Sequence, residues 1–331
     1  MPPEDAALSA RLLVRTELRG VESHGVRWIA NYCRALRDGK MNPQPQVTIA
    51  VDTGSLLLVD GDGGLGHVVS WRAMEFCLSR ATQQGAAFAA VRNSRHNGAA
   101  SLYALQAMEA GMIGLAMTGG GVRVAPAGGS EAMLGTNPIA FAAPADTGPP
   151  FVLDMATSVV AGARVTLQAQ KGQSIPPGWG LDPEGRPTTD AAAAERGALL
   201  PLGSMLELGS YKGFALGLIV ETLCNLLPGT ATGPERVRGL AGGAEPGAGH
   251  FLGAIRLEGL QDPQAFRERL SLNLQLLRDS RPQEGVEHIF TPGELEWRRE
   301  QDRETNGCPV LGATVQALQR LAGELGVEGL P

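Results

Sequence analysis

The chain has 331 residues, 43% of them hydrophobic and 19% charged. That is enough apolar material for one large or two ordinary cores, and too little charge for wholesale disorder. A net charge of -6 argues against a nucleic-acid-binding face as the main function. No apolar run reaches the roughly 18 residues of a membrane span, and the acidic start MPPEDAAL is not a signal peptide. The four cysteines, Cys33, Cys77, Cys224 and Cys308, form no CxxC pair, which speaks against a disulfide framework and a thiolate metal site. What remains is a soluble, cytoplasmic, globular protein, most often an enzyme with a small-molecule substrate.

Leu8, Leu12 and Leu13 at helical spacing, with Gly20 as a stop, predict a helix over 3–20. A second helix is predicted over 23–38, with Ser23 as its N-cap. Pro43 and Pro45 then forbid helix. Short β-type runs (55–59, 86–91, 112–117, 138–143 and 151–153) alternate with helical runs (68–83, 99–110 and 157–169), the pattern of a mixed α/β core. Residues 176–201 read as a proline- and glycine-punctuated loop. A strong helix over 211–227 carries Phe214, Leu218, Ile219, Leu223 and Leu226 on one face. Residues 229–249 read as a further loop and 251–255 as a strand. Helices over 263–278, 294–304 and 310–325 close the chain.

The run Gly61-x-Gly63-x-x-Gly66 follows a predicted strand and precedes a helix, as a dinucleotide phosphate loop would. The next strand ends in Arg92 and Asn93, without the acidic residue a ribose needs, and Asp60 and Asp62 place negative charge beside the supposed phosphates. A tight turn is the better reading.

His96 lies in a polar loop between strand and helix, where an imidazole with an ordinary pKa of about 6.5 can exchange a proton near neutrality. A capping role is the alternative. His24, in the first turn of the second predicted helix, is favoured neutral by the macrodipole, and capping or exposure is again the alternative. His67, His250 and His288 form no HxH or HExxH pattern with them, so no metal is expected. Lys212 at the start of the strongest helix opposes the dipole, a placement suited to meeting an anion or simply to solvent. Asp154, Thr157 and Ser158 read as helix caps.

The strings LRGVESHGV (18–26), RNSRHNGAASLYALQA (92–107), VAPAGGSEAMLGTNPIAFAAP (124–144), LDMATS (153–158), IPPGWGLDPEGRPTTD (175–190), LLPLG (199–203), GSYKGFAL (209–216) and FTPGELE (290–296) run in that order. Together they resemble the malate/L-lactate dehydrogenase family of NAD(P)-dependent oxidoreductases, which lacks a Rossmann fold and includes sulfolactate and ureidoglycolate dehydrogenases and cyclic imino-acid reductases. The resemblance implies an α/β fold with a central non-Rossmann NAD(P)-binding domain on a mixed sheet (55–261) and a helical domain formed by both termini (1–54 and 262–331). It implies a homodimer, NAD or NADP as cofactor, and a 2-hydroxy acid, 2-oxo acid or related imine as substrate.

By the same analogy His24 and His96 are the catalytic pair, with His96 preferred as acid/base and His24 as orienter. Tyr32, Arg27 and Trp28 are the substrate contacts. The cofactor contacts map onto Gly120, Asp154, Met155, Ala156, Thr157, Ser158, Lys212, Gly213, Gly293 and Glu294. The family's usual arginine four residues after the Ser-His-Gly histidine is Trp28 here, with Arg27 one place earlier. The chain also begins closer to that motif than the family does, so an N-terminal helix is expected to be missing. A catalytically impaired relative serving as a binding protein is the alternative function.

Overall fold

The computed structural model describes residues 1–241 and 247–329. In chain order it contains α1 (Pro3–Leu18), 3-10 turns at Glu22–His24 and Val26–Trp28, α2 (Ile29–Arg37), β1 (Thr48–Asp52), β2 (Leu56–Asp60), α3 (Gly66–Gln84), β3 (Ala86–Ser94), α4 (Ser101–Glu109), β4 (Ile113–Thr118), β5 (Val122–Val124), β6 (Leu134–Gly135), β7 (Ile139–Ala143), β8 (Phe151–Met155) and α5 (Gly162–Gln170). There follow β9 (Gly180–Leu181), β10 (Pro187–Thr188), α6 (Ala191–Arg196), β11 (Ala198–Leu199), a 3-10 turn at Leu206–Leu208, α7 (Ser210–Glu221) running into a π-turn at Thr222–Leu226, α8 (Gly233–Val237), β12 (Ala248–Ile255), α9 (Pro263–Arg278), α10 (Glu294–Asn306) and α11 (Gly312–Leu325).

Seven strands form the main sheet in the order β1-β2-β3-β12-β4-β7-β8. β2 and β3, joined through α3, are parallel; every other neighbouring pair is antiparallel. The alternation along β3 sets its two faces. Ala87, Ala89 and Val91 enter the core under α3 and α4 with Val69, Met74, Leu102 and Leu252. Ala90 packs on the opposite face with Met117, Val220, Cys224 and Phe251, beneath the end of α7. Side chains of a strand alternate between faces, so this near-continuous apolar run belongs to a strand covered on both sides.

A second sheet, β10-β9-β11-β5-β6, packs with α5 and α6 around Val124, Val165, Ile175 and Leu199. Its two-residue strands β9, β10 and β11, with α6, occupy much of the stretch read from sequence as loop; strands this short have no period to read.

The ends of the chain meet. Glu300 of α10 accepts from Arg15 at 2.9 Å and from Arg19 at 2.6 Å, both on or beside α1. Arg303 donates to Glu22 at 2.9 Å and to the Glu17 carbonyl, and Asp5 pairs with Arg72 of α3 at 2.6 Å.

Two predicted helices are shorter than expected. Residues 23–28 form two 3-10 turns, and α2 starts only at Ile29. Gly25 (φ -90°, ψ -147°) breaks the helix, and the Ser23 hydroxyl bonds His24 Nδ1 instead of capping. Residues 157–161 likewise precede α5. The predicted loop over 229–249 contains α8 and the start of β12, while 242–246 lie outside the described residues. Among the described residues no helix is long and apolar enough to cross a membrane.

Candidate active site

The site begins where β3 ends. Asn93 at the left-handed φ of 53° turns the chain, and the loop 95–98 follows before α4. The glycine run after β2 is the ledge beneath that loop. Gly61 N–H donates to the Arg92 carbonyl at 3.0 Å and Gly63 N–H to that of Asn93 at 2.8 Å. A Cβ on Gly66 would overlap the Arg95 and His96 carbonyl oxygens. The glycines let two backbones touch, and protein fills the space a phosphate would need. Gly98 (φ +73°) has no room for a Cβ against the His67 ring.

His24 is held from another direction. Glu17, buried at the end of α1, accepts from Val26 N–H at 2.9 Å, and a Cβ on Gly25 would collide with the same carboxylate oxygen. An acidic side chain in a helix's last turn opposes the dipole; its reward is tertiary, the fixing of the His24 turn. Burial raises the Glu17 pKa, the Val26 N–H opposing.

These supports bring the two histidines together. The His24 and His96 rings stack with centroids 5.7 Å apart and planes 17° apart. Trp28 covers His96 at 4.6 Å and 22°, and its indole N–H donates to the Ser23 carbonyl at 2.8 Å. The Tyr32 hydroxyl meets His96 Nδ1 at 2.6 Å, and Ser23 Oγ meets His24 Nδ1 at 2.8 Å. Each imidazole thus has one nitrogen anchored by a hydroxyl.

Burial lowers the His96 pKa to about 4, with His24 adding to the effect. Burial also lowers that of His24, Asp154 opposing and Arg27 assisting. Both rings are therefore neutral at pH 7. Because His24 lies in a 3-10 turn, desolvation and not a helix dipole keeps it neutral.

The predicted cofactor residues divide by accessibility. Asp154 is open to solvent but closely ringed by protein, which raises its pKa; its Oδ2 accepts from Ser101 N–H at 2.9 Å. Met155, Ala156 and Gly120 are half-buried, and Lys212 is exposed with no ion pair among the described residues. Thr157 and Ser158, by contrast, are buried and donate to the Thr136 and Val160 carbonyls instead of capping a helix. Glu294, 1% exposed, accepts from Thr291 N–H and Oγ and from Arg298. Burial alone would raise its pKa, but these partners lower it. The Cα of Gly213 lies on the Leu202 backbone and that of Gly293 (φ +85°) on Val152.

Arg27 is exposed, unlike Trp28 beside it; at three residues per turn, neighbours point about 120° apart. It makes no hydrogen bond to the histidines among the described residues.

One hydrogen-bonded path joins the two groups of residues. Leu202 N–H donates to the Thr157 carbonyl at 2.9 Å and Gly213 N–H to that of Leu202 at 3.2 Å. The start of α7 and the segment after Asp154 are therefore one continuous surface.

Several supporting residues carry no sequence signal strong enough to single them out. His250, fully buried, bridges Ser94 and Thr118 through its two nitrogens at 2.8 and 2.7 Å. Asn137, at the left-handed φ of 41°, accepts from Gly120 N–H at 3.0 Å and donates to buried Glu221 at 2.9 Å. Glu221 also accepts from Asn225 in the π-turn at 3.0 Å. Asn before proline in a turn, with its tolerance of positive φ, was the readable hint; π-turns themselves gather at functional sites.

Known proteins resemble this chain over nearly its whole length. The malate dehydrogenase of Pyrococcus horikoshii is 40% identical over 334 residues, covering 100% of this chain and 91% of its own. Its solved structure superposes with a TM-score of 0.90 at 37% identity, covering 100% of this chain and 91% of that one. The L-sulfolactate dehydrogenase of Methanocaldococcus jannaschii is 35% identical, with 99% and 92% covered. The Δ1-pyrroline-2-carboxylate reductase of Ancylobacter novellus is 34% identical, with 96% and 91% covered. The sequence profile described as malate/L-lactate dehydrogenase matches residues 1–319, and the chain belongs to that family.

Proposed function

We propose that this protein, an NAD(P)-dependent oxidoreductase, interconverts a small 2-hydroxy acid and its 2-oxo acid, or a related imine, with His96 as acid/base and His24 as substrate orienter. The observation that carries the reading is the stacking of the two rings at 5.7 Å, which supports their acting on one substrate.

The residues present fit the cofactor. Lys212 offers an ammonium with no ion pair among the described residues, Met155 and Ala156 are partly open, and a Cβ on Gly121 beside Gly120 would meet nothing within 4 Å. Lys212 and Asp154 would hold it along the surface joined through Leu202. Held there, reduced NAD(P)H would supply the hydride that the C2 carbonyl carbon needs, with NAD(P)+ as its oxidised form.

The chain supplies the proton. In reduction the free nitrogen of protonated His96 donates to the carbonyl oxygen as charge builds there; in oxidation the neutral ring takes the hydroxyl proton. Both directions need the proton on Nδ1, so that it donates to Tyr32 Oη and leaves Nε2 for the substrate. Burial raises the Tyr32 pKa, so the phenol remains protonated through the cycle.

We assign Arg15, Arg19 and Glu300 to a helical unit of 1–54 and 262–331 and strands β2–β12 to a cofactor unit of 55–261, with β1 (Thr48–Asp52) of the first unit pairing onto the sheet of the second. We also propose a cytoplasmic homodimer. The face of α7 that sequence periodicity marks as apolar supports it: Leu218, Ile219 and Leu226 are 42%, 48% and 57% exposed in the single chain, and apolar patches of this kind mark interfaces. A non-catalytic role gains no support from the assembled histidine pair.

Purified protein mixed with NADH or NADPH and a panel of 2-oxo acids tests the reading. Absorbance at the reduced nicotinamide band should fall, and His96→Ala should slow it by about 10²–10⁴-fold. A full-rate His96→Ala variant would remove His96 from the chemistry.

A further inference from the structure

The wall of the site beside His96 is aromatic and uncharged. Trp28 stacks on the imidazole at 4.6 Å and on Tyr32 at 5.7 Å, and the indole N–H bond to Ser23 fixes its plane. His67, fully buried, packs its edge on Tyr32 at 5.3 Å and backs the wall from behind. Among the described residues no lysine or arginine hydrogen-bonds to His24, Trp28, Tyr32 or His96. The charges that act on His24 are Asp154 and the exposed Arg27.

That balance discriminates between substrate tails. The C1 carboxylate is common to every 2-oxo acid and decides nothing. A second acidic group on the tail would be stripped of water against negative π faces and near the Asp154 carboxylate; the buried cation that acts on Asp154, Arg19, is already paired with Glu300 at 2.6 Å. An apolar tail loses nothing on leaving water and gains by burial, and a planar one can stack.

We infer that the site selects 2-oxo monocarboxylates with an apolar, preferably aromatic, tail laid against Trp28, over dicarboxylates and sulfonates. The inference rests on the oxidoreductase reading above and departs from the substrates named for two of the relatives. The overall step stays balanced: hydride from NAD(P)H goes to C2, a proton from His96 goes to the oxygen, and the products are the 2-hydroxy acid and NAD(P)+.

The test is kcat/KM for phenylpyruvate, 2-oxohexanoate, oxaloacetate and sulfopyruvate with each reduced cofactor, for wild type, Trp28→Phe and Trp28→Arg. Phenylpyruvate is expected to exceed oxaloacetate by at least tenfold in wild type. Trp28→Phe should keep that order, and Trp28→Arg should move the ratio at least tenfold toward oxaloacetate. Turnover with oxaloacetate or sulfopyruvate preferred by wild type overturns this inference alone. So does an unmoved ratio in a folded Trp28→Arg protein. Should that variant not fold, the wild-type order and its retention in Trp28→Phe decide. No oxidation of either cofactor by any compound overturns the underlying reading and this inference with it.

Discussion

Replacing His67 by leucine should flatten the acid side of the stability curve. His67 is fully buried, and burial, aided by His96 and His24, lowers its pKa to about 3. The unfolded chain binds a proton at an ordinary pKa of about 6.5. A lowered folded pKa therefore contributes stability that is intact above 6.5 and is lost as pH falls toward 3. At about 1.4 kcal/mol per pH unit, roughly 3 kcal/mol disappears between pH 6.5 and 4 from this one ring. Urea unfolding of wild type and His67→Leu at half-unit steps from pH 4 to 7, at one fixed protein concentration, measures it. The variant should show a slope smaller by about one proton over that range. At pH 7 it should lose little, because among the described residues no hydrogen-bond partner of His67 is stranded. His250→Leu is the contrast: its ring has a comparably lowered pKa of about 3, but the substitution leaves the Ser94 and Thr118 hydroxyls without it. That variant should lose about 1–3 kcal/mol per stranded group at pH 7 as well. Parallel pH curves for wild type and His67→Leu would refute the reasoning.

Three further expectations concern the site. Tyr32→Phe removes the partner of His96 Nδ1 and should lower kcat by about 5–150-fold, the equivalent of about 1–3 kcal/mol for a stranded buried group, with KM little changed; steady-state kinetics measures it. Glu17→Ala frees the Val26 N–H that fixes the His24 turn and should lower kcat and raise the substrate KM, whereas Glu17→Gln keeps an acceptor and should restore most of the rate. Lys212→Ala should raise the cofactor KM in a manner that weakens with salt, as for any exposed ionic contact, while leaving the substrate preference alone.

Legibility in the sequence followed the range of the interaction that decides each element. α9 is found at its predicted bounds because the decision is local: the Asp262 carboxylate accepts from Ala265 N–H at 3.0 Å and a proline occupies the first turn. The stretch 23–28 fails as helix because its decision is not local. Glu17 comes from the preceding helix to seize the Val26 amide, and Gly25 is needed where that carboxylate passes. Sequence periodicity sees neither. The α7 stripe shows a third case: over 211–227 the period mixes Leu218, Ile219 and Leu226, exposed in the single chain, with Phe214 and Leu223, which pack on neighbouring cores, while Gly213, Gly217, Val220 and Cys224 are buried. His24 and His96 illustrate the limit most sharply. Each alone reads as a capping residue, and only the ordered family motifs paired them before the 5.7 Å stack did so physically.

The neutrality of that pair sets the final expectation. With its pKa pushed down to about 4, free His96 at pH 7 is protonated about once in a thousand molecules, each pH unit above the pKa costing a factor of ten. The free site is thus prepared to accept a proton from a hydroxyl, but not to donate one to a carbonyl. Reduction requires something to restore the charge, and an anionic 2-oxo acid beside the ring can do so, since an opposite charge within about 4–6 Å raises an imidazole's pKa. Carboxylate binding and proton uptake are then one event, and the substrate prepares its own acid. Histidine-selective NMR titration of the free protein should give His96 a midpoint near 4. Repeating the titration with saturating 2-oxo acid and oxidised cofactor, which cannot react together, should move the midpoint upward. A free-protein midpoint at or above 6.5 would mean that burial does not govern this ring, and that the proton stands ready before the substrate arrives.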